Sequence, residues 1–374
     1  EWFCERLAAD GSAVPPLLAH GKPLYDGETQ LLADGSYIAV PRDTGVLCVA
    51  DLRRADKPLA SNASASLWDA GDGIALLEFH SKLNAIDPLG LEMVAEAVEV
   101  VEGGDFVGLV VGNDGEHFSA GANIGLALFV ANVGAWDEIG KMISGGQLAF
   151  MTLKHSNFPV VGAPSGLAIG GGCEVLLACD AIQAHSETYT GLVEVGVGLV
   201  PAWGGCKEML RRWAAAGPHG PMAPVTKTFE NVGTAKVATS ALEARDMQIL
   251  RDGDGITMNR DRVLADAKTR CLEMVDGYEP PEMATHRLPG ASGRAGLEMA
   301  VADLRRAGKA TPHDEVVAGQ LAIVLSGGDT DPTEELDDSD ILDLEREAFM
   351  TLVRLPPTLA RIEHMLTTGK PLRN

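Results

Sequence analysis

The run Pro159-Val160-Val161-Gly162-Ala163 is followed by Gly166-Leu167-Ala168-Ile169-Gly170-Gly171-Gly172-Cys173-Glu174-Val175-Leu176-Leu177-Ala178 and then by Ala181-Ile182-Gln183-Ala184. A short apolar run bounded by turn residues reads as a buried strand. The middle segment passes through glycines into a helix over about 172–178, and the last reads as a strand again. Strand, helix, strand in that order argues for βαβ units and an α/β fold.

Toward the N-terminus, 108–111 reads as another buried strand and 74–79 as a short, mostly apolar one. Between them, Asp87 before Pro88 gives an N-cap and a proline at the first helical position. Leu91, Val94, Val98 and Val101 then recur at helical spacing, so this helix packs on a sheet. The alternation starts at Leu67. Before it, 14–18, 37–40 and 46–50 are short apolar pieces separated by Gly, Asp and Pro, and the polar, Ala/Ser-rich 53–66 reads as a linker. The first residue is Glu1, and 1–7 reads like the middle of a helix, so the expectation is the C-terminal part of a longer polypeptide.

Toward the C-terminus, 126–154 is one long, mostly apolar segment with helical spacing. Beyond Trp213, helices are expected over 241–250, 262–274, 296–306, 314–325 and 340–366, the last interrupted at Pro356 and Pro357. Gly233 and the cluster 217–224 mark loops, and the acidic run 329–340 reads as a solvated loop or helix start. The chain thus divides into 1–65, the remnant of a preceding domain and its linker, a catalytic core over 66–240, and a helical region over 241–374.

With 46% hydrophobic and 22% charged residues in 374, the chain is globular rather than disordered. A formal net charge of −23 makes non-specific binding to nucleic acid or an anionic membrane unfavourable. It leaves a phosphorylated ligand open, since backbone amides and a few basic side chains suffice for one. No run approaches the about 20 apolar residues of a membrane span, and no signal peptide is recognisable, so a soluble, cytoplasmic protein is expected. The six cysteines form no CxxC pair and suggest buried free thiols, not a metal site.

Three segments place unusual residues at the ends of regular elements. Gly115-Glu116-His117-Phe118-Ser119-Ala120-Gly121-Ala122-Asn123 follows a strand, and its small residues let a ligand approach the backbone; taken alone, the ordinary Gly-rich strand-to-helix turn is the preferred reading. The glycines at 170–172 lead into a helix whose first-turn N–H groups favour a developing negative charge. They lack both the Lys-Ser/Thr ending of a P-loop and the spacing of a dinucleotide-binding motif. Glu174 lies in that first turn, where an acid also stabilises a helix. Glu194 is the lone charge in the apolar run 191–200; desolvation should raise its pKa, as a proton donor near neutral pH needs, unless it pairs with an arginine. Amides from two loops and two carboxyls are the set that adds water to an enoyl thioester: donors hold the carbonyl oxygen, one carboxylate deprotonates water, and a carboxyl supplies a proton.

In order and spacing, Leu83-Asn84-Ala85, Phe118-Ser119-Ala120-Gly121-Ala122-Asn123, Gly170-Gly171-Gly172-Cys173-Glu174 and Gly198-Leu199-Val200-Pro201 resemble the enoyl-CoA hydratase/isomerase, or crotonase, superfamily over 74 to about 210. The resemblance implies a crotonase-like spiral of ββα units with an added C-terminal helical region. It implies an oxyanion hole from the amides of Ala122 and Gly171, and Glu174 and Glu194 as the catalytic pair, with Glu194 giving a proton to C2. Ala120 and Lys82 fall where the family contacts the adenine and phosphate portions of coenzyme A. Gly121, Gly170, Pro201, Ala202 and Trp203 complete the expected substrate site. Asn123 stands where an aspartate is usual, and Ala202-Trp203 replaces a glycine-containing pair, so Trp203 is expected to reshape the acyl site.

Coenzyme A then enters as part of the substrate, with no tightly bound cofactor. The motifs at 342–349 and 369–374 resemble bacterial two-part fatty-oxidation enzymes, in which a 3-hydroxyacyl-CoA dehydrogenase precedes the hydratase. NAD would belong to that missing part, and a thiolase is the partner this organisation suggests. Relatives form trimers or pairs of trimers, whereas fused chains use internal contacts; the residues leave both open. Two other readings remain at this point: a Δ3-Δ2-enoyl-CoA isomerase, and a non-catalytic acyl-CoA-binding or assembly module.

Overall fold

The computed structural model describes residues 2–27, 29–217 and 220–374. Glu1 of the expected leading helix, and Pro218 and His219 of the expected loop, lie outside the described residues.

Strands β1 (Ala60–Ser61), β2 (Ala65–Asp69), β3 (Ile74–Phe79), β4 (Gly108–Gly112), β5 (Val160–Ala163), β7 (Ala181–His185) and β9 (Gly255–Thr257) form one sheet, in the spatial order β9-β7-β5-β4-β3-β2-β1. β1, β2 and β3 are antiparallel, and every pair from β3 to β9 is parallel. A two-stranded parallel sheet, β6 (Leu167–Ile169) with β8 (Tyr189–Gly191), stands apart from it. Leu76, Val110, Val161 and Ala181 are in register across four strands. All four belong to the apolar cluster that contains Val263, Leu264, Ala267 and Cys271 of helix α7 (Val263–Val275). Their neighbours Leu77, Val111, Val160 and Ile182 point the other way, into the main core. Side-chain alternation in a sheet covered on both faces explains why these strands read as unbroken apolar runs.

Around the sheet and the site are the helices α1 (Pro88–Gly103), α2 (Ile124–Asn132), α3 (Trp136–Lys154), α4 (Gly171–Ala178), α5 (Gly205–Ala215), α6 (Met222–Gly233), α8 (Gly290–Arg306), α9 (Pro312–Ser326), α10 (Asp338–Leu352) and α11 (Pro356–Thr368). The expected cap of α1 is present: Asp87 accepts from the Gly90 amide at 2.9 Å. The C-terminal helices are not an appendage, because Leu321, Leu325, Ile341, Phe349, Leu352 and Ile362 share the main core with Leu77, Val111 and Leu176.

Several boundaries differ from expectation. The segment 126–154 is two helices, α2 and α3, parted at Gly134, whose φ of +72° ends the first. The helix expected over 241–250 stops at Asp246. The cluster 217–224 does not stay a loop to its end, since α6 begins at Met222 and takes Pro224 into its first turn, where a missing N–H costs nothing. Nor is 53–66 a free connector. It contains the end of a helix (Val49–Ala55) and the edge strand β1, and Arg53 binds Glu78 of β3 at 2.6 Å. Ser61 and Ser66 bond to each other at 2.8 Å across β1 and β2, so small polar residues build the sheet edge. Ahead of them, Tyr25–Asp26, Thr29–Leu31 and Tyr37–Ala39 form a separate small antiparallel sheet.

Candidate active site

The loop after β4 is tied down along its length. Asn113 donates to the Phe118 carbonyl at 2.9 Å, and Asn84 to the His117 carbonyl at 2.8 Å. The amide of Ser119 donates to Leu167, and the Ile169 amide returns a bond to Ser119, so this loop lies along β6. Gly121 and Asn123 then bracket Ala122 by exchanging bonds with Ile86 at 2.8 and 2.9 Å. That leaves the Ala122 amide with no backbone acceptor among the described residues. Asn123 serves as the N-cap of α2, accepting from the Leu126 amide at 3.1 Å.

Strand β6 feeds the N-terminus of α4, where Gly170 has φ +55° and donates to the Gly191 carbonyl of β8. Gly171 comes so close to Ala122 that a Cβ placed on it would lie 3.1 Å from the Ala122 amide nitrogen. A Cβ on Gly121 would in turn lie 3.2 Å from the Gly171 nitrogen. The two expected oxyanion donors are therefore adjacent. Gly171 is the first residue of its helix, so its N–H has no intrahelical acceptor.

Glu174 is 4% exposed, and its Oε1 accepts two amides, from Trp203 at 2.8 Å and Gly205 at 2.9 Å. Burial pushes its pKa up to about 7, against the pull of those amides. Glu194 heads a short 3-10 turn, Glu194–Val197, closed by Gly198 in the left-handed region. Its Oε1 lies 3.2 Å from the position of a Cβ on Gly170, and its Oε2 is buried without a hydrogen-bond partner. Burial, then the charge of Glu174, raise its pKa well above the ordinary value. Among the described residues Glu194 makes no ion pair, so the arginine-paired alternative has no support.

Pro201 and Ala202 are buried in the turn between Glu194 and α5, and the Ala202 carbonyl accepts from Gln147 of α3 at 3.0 Å. Trp203 is 7% exposed and meets Phe150 edge-on, with ring centroids 5.6 Å apart. Its indole is wedged between α3 and α4: Cβ atoms on Gly146 and Gly171 would come within 2.2 Å and 2.7 Å of it. Lys82 is exposed on a 3-10 turn whose Leu83 carbonyl accepts from the Ala120 amide at 3.1 Å. Lys82 and Ala120 thus lie on adjoining loops.

Sequence reasoning missed the support behind the glutamates. Thr358 of α11 donates to the Gly198 carbonyl at 3.1 Å, and Arg361 to the Val195 carbonyl at 3.4 Å, fixing the turn that carries Glu194. Beneath α5, Glu208 accepts from both Lys154 and Lys207, all three buried. Burial alone would raise the Glu208 pKa, but the two ammonium groups hold it far below the usual carboxylate range. A cavity of about 240 Å³ lined by Arg42, Cys48, Asn113, Asp114 and Arg260 lies on the α7 side of the sheet and contains neither Glu174 nor Glu194.

A parallel-rich sheet, a small second sheet and two apposed loop amides beside buried carboxyls define a crotonase-fold domain. Residues 69–219 match the enoyl-CoA hydratase/isomerase family model, so this part of the chain is similar to that family. The chain is 41% identical over 341 residues to a probable 3-hydroxyacyl-CoA dehydrogenase of Bacillus subtilis, covering 91% of this chain and 43% of that protein. It is 26% identical over 320 residues to a putative fatty acid oxidation complex trifunctional enzyme of Rickettsia prowazekii, covering 84% of this chain and 40% of that one. The chain therefore spans less than half the length of these curated relatives. In fold it is similar to an enoyl-CoA hydratase from Bacillus halodurans, with a TM-score of 0.56 at 15% identity, over 80% of this chain and 99% of that one. Among the described residues, no helix is long and apolar enough to cross a membrane.

Proposed function

We propose that this chain hydrates 2-enoyl-CoA thioesters to 3-hydroxyacyl-CoA in fatty-acid oxidation, as the hydratase part of a longer 3-hydroxyacyl-CoA dehydrogenase polypeptide. The observation that carries this reading is the pair of buried carboxyls, Glu174 and Glu194, set about an α4 N-terminus whose amide adjoins that of Ala122. The amides of Ala122 and Gly171 take the thioester oxygen as it gains charge. Both amide bonds to Glu174 fall on Oε1, so Oε2 is the oxygen that takes a proton from water as that water attacks C3. Glu194, the more strongly raised acid, is protonated near neutral pH and delivers its proton to C2. Water supplies the hydroxyl at C3, and proton exchange between the carboxyls and solvent resets the pair.

Coenzyme A enters only as the substrate's handle, with Lys82 and Ala120 toward its phosphates and adenine. NAD chemistry belongs to the dehydrogenase part of such a polypeptide, and a thiolase is a separate partner for which the helical region over 241–374 offers a docking surface. The test is loss of the conjugated thioester absorbance of crotonyl-CoA on mixing with the chain. Hydration abolished in Glu194→Gln with substrate binding retained supports the assignment; full activity in that variant sinks it.

A further inference from the structure

A third carboxyl lies behind the proposed pair. Glu345 sits on α10, is 0% exposed, and takes the Gly204 amide on Oε2 at 2.8 Å and the Lys207 amide on Oε1 at 3.0 Å. Gly204 is the N-cap of α5 and its φ is +106°, a conformation other residues rarely adopt. On either side of Gly204 are the two amides that bind Glu174, those of Trp203 and Gly205. One short turn is therefore clamped between two carboxylates, three of its consecutive N–H groups pointing alternately at Glu174 and Glu345. We propose that Glu345 is a positioning residue for Glu174: by holding Gly204 and Lys207 it aims the Trp203 and Gly205 amides at Oε1 and so fixes which oxygen of Glu174 remains for water. The inference rests on the hydratase reading for its catalytic meaning and on the hydrogen bonds alone for the clamp.

The groups that face Glu345 are Glu174 on α4, Glu194 on its turn, and Lys207 and Cys206 on α5. Lys207 is itself engaged by Glu208 and, at 3.8 Å, by Asp338, so its ammonium does not neutralise Glu345 fully. Burial and the nearby Glu174 push Glu345 up to about 8. The C-terminal helical region thus contributes a carboxyl group to the site as well as packing.

The test uses the whole chain labelled with carboxyl-13C glutamate, the Glu174 resonance being assigned from its absence in Glu174→Gln. In Glu345→Gln one acceptor becomes a donor facing an amide, which loosens the turn that carries the Trp203 and Gly205 amides. As the Trp203 and Gly205 amides that lower it loosen, the Glu174 titration midpoint should rise by about half a pH unit or more, and kcat for crotonyl-CoA should fall about tenfold with KM unchanged. An unshifted midpoint with unchanged kcat in the folded variant overturns the proposal. If Glu345→Gln does not fold, the unsubstituted chain decides: Glu174 and Glu345 should titrate as broadened, interacting curves, and two simple independent curves overturn it. A chain that binds acyl-CoA but hydrates none refutes the hydratase reading, while the titration still decides the role of Glu345.

Discussion

The six-membered edge of the Trp203 indole lies directly against Gly171, so close that a Cβ on Gly171 would come within 2.7 Å of Cζ3. Trp203 also provides one of the amides on Glu174, so a single residue touches both the proposed oxyanion donor and the proposed base. Gly171→Ala must push the indole away or shift the start of α4. A displacement near 1 Å at a reacting centre costs about 10²-fold in rate. The expected outcome is a loss of that order in kcat/KM with the melting transition largely kept. Adding Trp203→Leu, which clears space for the new methyl, should return part of the activity; no recovery in the double variant would mean that the contact does not set the position of Gly171.

The two proposed acids should fail differently. Glu194→Gln keeps the shape of the side chain and removes the proton, so hydration should drop by about 10²–10⁴-fold. Glu174→Gln removes the base but leaves Glu194 free of its neighbour's charge, which raises the Glu194 pKa after burial does. The remaining activity should therefore show a proton-donor limb moved to lower pH, read from kcat/KM against pH. An isomerase would tolerate loss of one acid far better, so near-normal Δ3-to-Δ2 conversion of a 3-enoyl-CoA by either single variant, with hydration absent in the unsubstituted chain, replaces the hydratase reading.

Stability should fall as pH rises across neutrality. Glu174 and Glu345 have folded pKa values near about 7 and about 8 against an ordinary value of 4.5, so the folded state binds more protons than the unfolded one. Their contribution is fully present below the unfolded value and is lost as pH rises through the folded ones. The melting temperature is expected to decline between pH 5 and 8, and the decline should flatten in Glu345→Gln. An unchanged slope in that variant would show that Glu345 does not titrate in this window.

Much of the core could be read in the sequence because its signals are local. Asp87 and Pro88 sit next to each other and next to the helix they start, and Ile74–Phe79 is an apolar run of strand length. Glu194 stood out as a lone charge among apolar residues, and the glycines at 170–172 announced a helix start; the structure brings these segments together beside Ala122. What stayed hidden is non-local or chemically quiet. Ser61 and Ser66 look like linker residues until main-chain pairing places them at a sheet edge. Gly134 interrupts a segment apolar on both sides, and only its positive φ shows the break. Glu345 lies 141 positions from Gly204, and nothing in the acidic stretch around it distinguishes it from its exposed neighbours Asp343 and Glu347 in advance of the fold. The helical C-terminal region looked separable for the same reason, since its apolar faces reveal their partners only when packed.

The buried charges under α5 give the sharpest stability test. Glu208 receives Lys154 at 2.8 Å and Lys207 at 2.5 Å, with Lys154 and Lys207 brought from α3 and α5 into one dry layer. Removing the shared carboxylate leaves two ammonium groups buried and repelling each other, and breaking such a pair costs about 3–5 kcal/mol. Glu208→Ala should therefore lower the urea midpoint steeply, whereas Lys154→Met, which removes one charge and fills the space with an apolar chain, should cost far less because Lys207 still neutralises Glu208. Since the folded Glu208 pKa is depressed, its contribution is present above the unfolded value and disappears only as pH falls through the folded one. The difference in unfolding free energy between the parent chain and Glu208→Ala should thus be constant from pH 6 to 8 and narrow in acid. A difference that instead grew in acid would show that Glu208 is held as a neutral acid and that the two lysines find their counter-charge elsewhere.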